Sequence, residues 1–522
     1  MHTESATHDV VIVGGGHNAL VAAAYLARAG HRVVVLERLE HFGGAAVSER
    51  PWPGVDARLS RYSYLVSLLP PRVAGDLGLR VELRRRRYSS YTPDPARPSR
   101  GVLVDREDAA ATAESFARAV GSAREAERFG AFYERLAPLA TAVFPTMTEP
   151  LLPAAELRRR VGDDELWRAV VDEPLDGLLR DSFDTDLVRG IALTDGLIGT
   201  FSWSGDVSLR QNRCFLYHVV GGGTGDWDVP VGGMGRVSAE LERAARDAGA
   251  ELRAGVTVTA VSPDGEVAVD DGAPLRGRLV LSGVGGAVLN GLLRAGGAEV
   301  EDAAEPEGAQ LKVNMLLRRL PRLRDASVAP EAAFAGTFHI NETMAQLDSA
   351  FAVAAGGAIP DPLPAEIYCH SLTDPTILGP ELRASGAQTL TLFGLQAPHR
   401  LVAGGASRDE LLAAAERSLD SVLGEPLRAL LHETPDGEPC IEARTTGDLE
   451  RSLGMAGGDI FHGLLSWPWA EAGEQLASPA ERWGVGTGHA RVLLCGSSAR
   501  RGGAVSGIGG HNAAMAALEL LR

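Results

Sequence analysis

The stretch "DVVIVGGGHNALVAAAYLARAGHRVVVLER", residues 9–38, decides the fold of this chain. A short apolar run, 9–13, leads into three glycines, and an alanine-rich segment then extends to Gly30. A second apolar run ends in Glu37 and Arg38. Short runs of β-branched residues bounded by glycine are typical of buried strands, and alanine-rich segments that end in glycine are typical of helices. The stretch therefore predicts a strand, a glycine turn, a helix and a second strand.

The spacing of the glycines suits a bound dinucleotide. Gly14-x-Gly16-x-x-Ala19 lies between the first strand and the helix, and Glu37 ends the next strand. Gly14 permits the tight turn, Gly16 lets the backbone approach a pyrophosphate, and Ala19 keeps the helix close to the sheet. The N-terminus of the helix attracts phosphate, and Glu37 is placed to accept hydrogen bonds from ribose hydroxyls. An acid at position 37 disfavours a 2′-phosphate.

A second glycine segment, "FGGAA" (42–46), follows Glu37 and brings bare backbone to the same ligand. The candidate cofactor-binding residues of the N-terminal region are Gly14, Gly15, Gly16, His17, Asn18, Ala19, Glu37, Arg38, Gly43, Gly44 and Ala45.

The cofactor follows from what the rest of the chain contains. The segment "LVLSGVGGAVLN" (279–290) has no acid at the expected distance, so we interpret it as a return strand and turn of the same domain. The four cysteines are far apart and form no CxxC pair, which argues against a disulfide framework, a redox dithiol and a metal site. One dinucleotide site without a dithiol indicates FAD as the working cofactor.

The bulk composition narrows the class of protein. The chain has 522 residues, 45% hydrophobic and 23% charged, as expected for a globular protein with two or more packed domains. A net charge of −17 disfavours a nucleic-acid partner. The N-terminus has no apolar signal core, and no apolar run is long enough to cross a membrane. We therefore expect a cytoplasmic protein, and a peripheral membrane contact is compatible with the sequence.

The order of patterns along the chain predicts a discontinuous α/β fold. Strand, turn and helix patterns occur at the N-terminus, again from Val229, and again in the last forty residues. We predict a Rossmann-like FAD-binding domain formed by residues 1–105, 229–310 and 481–522. We predict that residues 106–228 and 311–480 are inserted into this domain and form a second layer.

Lys312, in the apolar segment "AQLKVNMLL" (309–317), is the only lysine among 51 lysine and arginine residues. Lysine is a compact ammonium whose pKa shifts readily on burial, whereas arginine is a delocalised and permanently charged fork. A lysine retained in a predicted buried strand is therefore a candidate functional residue.

Other candidates are weaker on sequence grounds. Arg61, Tyr62 and Tyr64 lie in an amphipathic segment, 60–69, which either lines a substrate cavity or packs in the core. His339 and His462 lie among apolar residues and glycines, where we expect buried histidines, and His462 is also a candidate for orienting substrate.

Several motifs together resemble one family, the phytoene-desaturase-like flavoproteins. They are the N-terminal stretch, "SRYSYLVSLL", "TDGLIGTF", "GGMGRVSAEL", "GTFHI", "GGDIFHGLLS" and "VSGIGGHNAAMA". The resemblance extends over nearly the whole chain. It points to the branch called pyridine nucleotide-disulfide oxidoreductase domain-containing protein 2, within the amine-oxidase and desaturase superfamily. The missing CxxC pair means that the disulfide in this name does not describe the chemistry.

The resemblance implies that residues 106–228 and 311–480 form an α+β substrate domain with a mixed sheet and helices. It also implies noncovalent FAD and assigns further residues to its site. Val258 would contact adenine, and Gly496, Gly507 and Ile508 would lie along the ribityl chain and the flavin. Lys312 matches a lysine that bonds flavin N5 through a water in amine oxidases, where an ammonium would promote reoxidation by oxygen. Relatives usually carry His-Pro where this chain has Arg500 and Arg501.

Three hypotheses are compatible with the sequence. The first is an FAD-dependent oxidase or desaturase that removes hydride from a lipophilic or secondary-metabolite substrate, with oxygen as acceptor and with Lys312, Arg61 and His462 as catalytic candidates. The second is a carotenoid-type desaturase that uses quinone, or a redox-neutral polyene isomerase that needs reduced flavin. The third is a flavin-binding scaffold with protein partners. The sequence does not determine the substrate or the oligomeric state.

Overall fold

The computed structural model describes residues 7–301 and 305–522, folded into two large sheets and a layer of helices. The strands are β1 (Thr7–Val13), β2 (Val33–Leu36), β3 (Ser48–Glu49), β4 (Leu59–Ser60), β5 (Leu83–Arg84), β6 (Tyr88–Asp94), β7 (Arg97–Asp105), β8 (Val229–Pro230), β9 (Glu251–Arg253), β10 (Val258–Val261), β11 (Glu266–Val269), β12 (Leu275–Ser282), β13 (Leu311–Leu317), β14 (Thr337–Ile340), β15 (Ala365–Tyr368), β16 (Gln388–Gly394), β17 (Ile441–Arg444) and β18 (Val492–Leu494).

The α-helices vary from one turn to nearly six turns. They are α1 (His17–Arg28), α2 (Pro71–Leu77), α3 (Ala109–Val120), α4 (Arg124–Val143), α5 (Ala154–Val161), α6 (Asp164–Trp167), α7 (Leu175–Ser182), α8 (Asp186–Thr194), α9 (Arg210–Val220), α10 (Met234–Asp247), α11 (Gly286–Ala295), α12 (Pro330–Ala335), α13 (Met344–Ala355), α14 (His370–Thr373), α15 (Pro380–Ser385), α16 (His399–Ala403), α17 (Arg408–Val422), α18 (Thr446–Leu453), α19 (Pro479–Arg482) and α20 (Ile508–Leu520).

The first sheet is built around β1. Its strand order is β10-β11-β12-β1-β2-β9, with β18 also paired to β12. β1 is parallel to both β2 and β12, and Val13 at its end is level with Leu36 and Ser282. Because parallel strands end at the same edge of a sheet, the loops after these three strands meet there. The predicted Rossmann-like fold is confirmed, and its glycine turn lies at this edge.

Burial on both faces explains the continuous apolar runs of the central strands. Val10 and Ile12 are fully buried against α1, α10 and α20, whereas Val11 and Val34 face a second cluster that includes α11. A strand covered on both sides needs apolar residues at every position rather than at alternate ones.

The second sheet has the order β17-β13-β16-β15-β14-β6-β7 and is mixed, since β14 runs parallel to β6 while the other pairs are antiparallel. One of its faces packs on α12 and α17. The helices from α3 to α9 form a separate apolar cluster against β16. The predicted mixed α+β layer is therefore present.

One predicted boundary differs from the observed sheets. Residues 88–105 were assigned to the FAD-binding part, but they form β6 and β7 at the edge of the second sheet. β6 pairs with β14, more than 230 residues further along the chain, and local sequence pattern cannot reveal such a distant partner. No helix among the described residues has the length and apolar character needed to cross a membrane.

Helices α1 and α20 pack closely against each other. The sequence "GGHNA" occurs at the start of each helix, at residues 15–19 and 509–513. A Cβ atom on Gly510 would lie 1.9 Å from the carbonyl oxygen of Asn18. Gly510 is therefore required for this helix contact. The second "GGHNA" segment is a helix start that packs on α1.

We expect Gly510→Ala to lower the free energy of unfolding by about 1–3 kcal/mol, because the added methyl group must push the two helices apart. Gly130→Ala, in the exposed interior of α4, is the matched control, since a Cβ there meets nothing within 4 Å. That substitution should stabilise the protein by about 0.5–1 kcal/mol. Chemical and thermal denaturation of both variants measures the difference, and an unchanged stability of Gly510→Ala would contradict the close contact.

Candidate cofactor and substrate site

A cavity of about 620 Å³ extends from the glycine turn after β1 into the space between the second sheet and the helical layer. Gly14, Gly16 and Glu37 line it at the turn, and Tyr64 and Lys312 line it further in. The residues predicted from sequence that lie on its wall are Gly14, Gly15, Gly16, His17, Asn18, Glu37, Arg38, Gly44, Ala45, Val258, Gly496, Lys312 and His462.

The carboxylate of Glu37 organises the turn. Its Oε2 accepts a 2.7 Å hydrogen bond from the backbone N–H of Gly15, and its Oε1 accepts one of 2.9 Å from Leu39. Hydrogen bonds to an ionised carboxylate are shorter and stronger than neutral ones. Glu37 is 7% exposed and still lines the cavity, so unused lone pairs of its oxygens remain available to ribose hydroxyls.

The glycines have different roles within the turn. Gly14 has a φ of +86°, and a Cβ there would lie 2.9 Å from Val284. Gly16 has an ordinary φ of −67°, and a Cβ on it would meet no protein atom within 4 Å. Gly14 is thus required by the fold, whereas the missing side chain of Gly16 leaves room on the cavity side.

Asn18 and His17 begin α1 beside the same turn. Asn18 is 2% exposed, and among the described residues its side-chain amide has no hydrogen-bond partner. The Nε2 atom of His17 lies 3.2 Å from the carbonyl oxygen of Ala504. Burial lowers the pKa of His17 to about 4, so it is neutral near pH 7. A dinucleotide needs polar groups without other partners, backbone that it can approach closely, and an acid for its ribose. Asn18, Gly16 and Glu37 provide these features, so the residues present fit FAD.

The loop after β2 supports the turn from behind. The backbone N–H of Gly43 donates a 2.9 Å hydrogen bond to the carbonyl oxygen of Gly15, and Gly44 lies against Gly16. Val258 lies on the cavity wall next to Val256, whose N–H bonds the carbonyl oxygen of Glu37. The predicted adenine-side residues are therefore brought together.

Five predicted residues lie elsewhere. Ala19 is buried under Gly283, as its packing role requires, and Gly43 is behind the turn. Gly507 and Ile508 are packed behind the wall among described residues such as Val21, and residues 503–505 line the cavity instead. The approach of α20 to α1 carries the start of α20 away from the cavity.

Arg61 is the fifth. Its guanidinium forms ion pairs with Glu49 and Glu442, with 2.5 Å between Nη2 and Oε1 of Glu442, and it does not line the cavity among the described residues. The substrate contact of Arg61 stays a prediction, and its ion pairs favour the alternative that this side chain packs. Its neighbours Tyr62, Ser63, Tyr64 and Leu65 line the cavity.

Arg500 and Arg501 also have structural partners. Arg500 bonds Glu474, and the buried guanidinium of Arg501 donates to the carbonyl oxygens of Thr146, Glu149 and Trp483. Neither arginine is on the described cavity wall. The replacement of His-Pro by this pair is thus accommodated outside the cavity.

Lys312 lies on β13 and is 3% exposed. Its Nζ donates to the carbonyl oxygens of Ser60, at 3.3 Å, and Tyr62, and it lies 4.4 Å from the centre of the Tyr64 ring. Burial lowers the pKa of Lys312 well below its usual value, and the nearby carboxylate of Glu442 opposes this shift. Lys312 joins the second sheet to the segment that follows the cofactor loops and borders the cavity.

His462 lies nearer to the nucleotide end. It adopts a φ of +61°, and its buried Nδ1 lies 2.9 Å from where a Cβ of Gly285 would be. Among the described residues Nδ1 has no partner, and burial lowers the pKa of His462 to about 4.

The inner part of the cavity contains polar residues that sequence analysis missed. Glu366 and Tyr368 on β15 and Asp195 after α8 line it, together with His339. Burial raises the pKa of Asp195 to about 7 and that of Glu366 to about 8. His339 was expected to be a core histidine, and it is buried but faces the cavity. A glutamate inside the apolar run "AEIY" is the sequence feature that indicates this region.

Comparison with known proteins supports this reading of the fold. Residues 12–72 match the NAD(P)-binding Rossmann-like domain. An uncharacterized protein of Mycobacterium bovis is 55% identical over 98% of this chain and 97% of its own length. The cyclohexylamine oxidase of Brevibacterium oxydans has the same fold, with a TM-score of 0.55 at 15% identity, covering 99% of this chain and all of that one.

A mouse protein, pyridine nucleotide-disulfide oxidoreductase domain-containing protein 2, is 30% identical over 97% of this chain and 92% of its own length. The identity extends over the glycine turn, both sheets and the helical layer that together enclose the cavity. The chain therefore belongs to the family of pyridine nucleotide-disulfide oxidoreductase domain-containing protein 2, and it shares its fold with the cyclohexylamine oxidase of Brevibacterium oxydans.

Proposed function

We propose that this protein is an oxidoreductase that binds FAD noncovalently and removes a hydride from a C–H bond of a largely apolar substrate, with oxygen as the final acceptor. The continuity of the cavity carries the proposal. The glycine turn and Glu37 are at one end, and Tyr64 and Lys312 are further in. The name and the oxidoreductase domain of the mouse relative agree with this class of reaction.

The chain's own residues would bind and orient the cofactor. Glu37 would accept hydrogen bonds from the ribose, and Gly16 and the N-terminus of α1 would contact the pyrophosphate. The side-chain amide of Asn18, which has no hydrogen-bond partner among the described residues, would form hydrogen bonds with polar atoms of the bound cofactor. Neutral His462, with Nδ1 beside Gly285, is better placed to accept a hydrogen bond from the cofactor than to orient substrate. When bound, FAD would supply the hydride acceptor.

The inner cavity supports an apolar substrate. Its wall includes Leu68, Phe129, Leu136, Ile191, Ile198, Phe393 and Leu465. Such a wall excludes water and holds the reacting carbon in position, and positioning lowers the barrier to hydride transfer. The cofactor itself performs the chemical step, so the cavity needs few polar residues for it.

Lys312 supports oxygen as the acceptor. Its Nζ is held by two carbonyl oxygens and the face of Tyr64, so a positive charge would be fixed in a water-poor cavity. A fixed cation stabilises the negative charge that develops when oxygen is reduced, and it does so without reorganisation.

The cofactor assignment predicts opposite effects on stability and on FAD binding for substitutions at Gly14 and Gly16. Gly16→Ala should leave the thermal midpoint of the apoprotein unchanged, because its Cβ meets no protein atom, but should weaken FAD binding about tenfold or more. Gly14→Ala should destabilise the fold itself, because of its positive φ and the contact with Val284. FAD titration by fluorescence and thermal unfolding measure both effects. Unchanged FAD affinity in Gly16→Ala would contradict a pyrophosphate at this turn.

The role of Lys312 predicts a slow reaction with oxygen in Lys312→Met. We expect reoxidation of the photoreduced protein to be about a hundredfold slower, or about 3 kcal/mol, the scale of one lost electrostatic group. Stopped-flow mixing with oxygenated buffer and a peroxide assay measure this.

Asn314→Leu is the matched control for Lys312→Met. Asn314 lies two residues along the same strand and donates to the carbonyl oxygen of Arg61, so its loss disturbs the same segment without removing a charge. We expect its reoxidation rate to stay close to wild type. Equal slowing in both variants would show that Lys312 acts by holding the segment, and slow reoxidation in wild type would favour quinone or isomerase chemistry.

A pH profile gives an independent check. Burial lowers the pKa of Lys312, so its ammonium loses its proton at a lower pH than an exposed lysine does. The reoxidation rate of wild type should therefore fall as pH rises through this lowered pKa. Lys312→Met should lack this step, and a step retained in the variant would exclude Lys312 as its origin.

A further inference from the structure

Three side chains of metal-ligating type meet beside the inner part of the cavity, which two of them, His339 and Glu366, line. One atom each from His339, Glu342 and Glu366 lies within 4.8 Å of the other two. His339 is directly opposite Glu366 where β14 pairs with β15, and Glu342 follows β14 by two residues. Their residues are 5%, 0% and 3% exposed, so this is a buried cluster and not a solvated acidic surface.

A hydroxyl group holds one atom of each of these three side chains. The pairs are Thr92 Oγ1 with His339 Nδ1 at 2.8 Å, Thr194 Oγ1 with Glu342 Oε2 at 2.6 Å, and Tyr368 OH with Glu366 Oε2. Such outer contacts fix the orientation of metal ligands in known sites. The atoms left over are His339 Nε2, Glu342 Oε1 and Glu366 Oε1.

The leftover atoms point to a missing partner. Glu342 Oε1 is buried and has no hydrogen-bond partner among the described residues. His339 Nε2 and Glu366 Oε1 are 3.8 Å apart, which is too long for a hydrogen bond but within the span of two ligands that each lie about 2.0–2.2 Å from one metal ion. A buried carboxylate oxygen without a donor is costly, so something should bind there.

Charge in this region also favours a cation. Glu342 and Glu366 are buried carboxyl groups, and the partly exposed Asp195 lies on the same cavity wall. Arg86 lines the same cavity and its guanidinium interacts electrostatically with Glu366 and His339, but no hydrogen bond or ion pair joins it to Glu366 or Glu342 in the described part of the chain. Buried carboxylates persist only when a cation or a shared proton compensates them.

We propose that His339, Glu342 and Glu366 bind a divalent transition-metal ion such as Zn²⁺. One imidazole nitrogen and two carboxylate oxygens suit this class of ion, and three protein ligands leave a coordination position open. Because His339 and Glu366 line the cavity, the open position faces it. A water molecule or an oxygen atom of the substrate would occupy that position. The proposal does not depend on FAD or on its reaction.

Zn²⁺ binding to the chelator-treated full-length protein tests the proposal. Equilibrium dialysis should find one tightly bound Zn²⁺ per chain, and Zn²⁺ should raise the thermal midpoint because it binds the folded state. Glu342→Gln keeps the shape of the side chain but removes its charge, and should weaken binding at least tenfold. Asp195→Asn, which changes a carboxyl on the same cavity wall outside the ligand set, should retain the bound ion.

Two further measurements keep the test decisive if Glu342→Gln does not fold. Thr194→Val removes only the hydroxyl that orients Glu342 and should weaken Zn²⁺ binding about 10–100-fold. X-ray absorption of the Zn²⁺-loaded wild type should show nitrogen and oxygen ligands with one imidazole. No bound Zn²⁺, unchanged affinity in both variants, or sulfur ligands would overturn the proposal, and absence of binding would leave a proton shared by the two glutamates as the explanation.

Discussion

The carboxylate of Glu37 is the interaction on which the cofactor end of the cavity depends. It links the N–H of Gly15, in the turn after β1, to the N–H of Leu39, at the start of the next loop. The backbone of Gly43 then bonds the carbonyl oxygen of Gly15. One buried acid therefore holds two loops in the geometry that leaves Gly16 without a neighbour on its cavity side. This arrangement requires β1 and β2 to be parallel, because only then do both loops lie at the same edge.

Lys312 connects that edge to the second sheet. A buried ammonium is costly unless its donors are satisfied, and here two carbonyl oxygens and an aromatic face receive it. Asn314 bonds the same segment two residues further along β13. The segment 60–64 is thus fixed by two polar side chains from one strand. Within this segment the guanidinium of Arg61 pairs with Glu49 and Glu442, whereas Tyr62 and Tyr64 lie on the cavity wall.

The inner cavity combines apolar surface with carboxyl groups that have little compensation. Hydrophobic side chains from α4 and α8 form one side, whereas β14 and β15 contribute His339 and Glu366 on the other. Buried acids lower the stability of a fold, so they are expected where they bind or transfer something. The hydroxyls of Thr92, Thr194 and Tyr368 hold the cluster in one arrangement, which a cluster of accidental neighbours would not need.

The sequence alone determined the nucleotide-binding end, because its geometry is local. Gly14, Gly16 and Glu37 lie within 24 residues, and the strand, turn and helix that position them follow from apolar runs and glycines. The mixed second sheet was expected from family resemblance. The tertiary structure decided which side chains face the cavity. Among the described residues Arg61, Gly507 and Ile508 do not line it, although the sequence made them candidates. Glu366, Tyr368 and Asp195 line it, although the sequence did not single them out. These positions depend on strand pairing and helix contact across hundreds of residues, such as β6 with β14 and α1 with α20, and no local pattern specifies such partners.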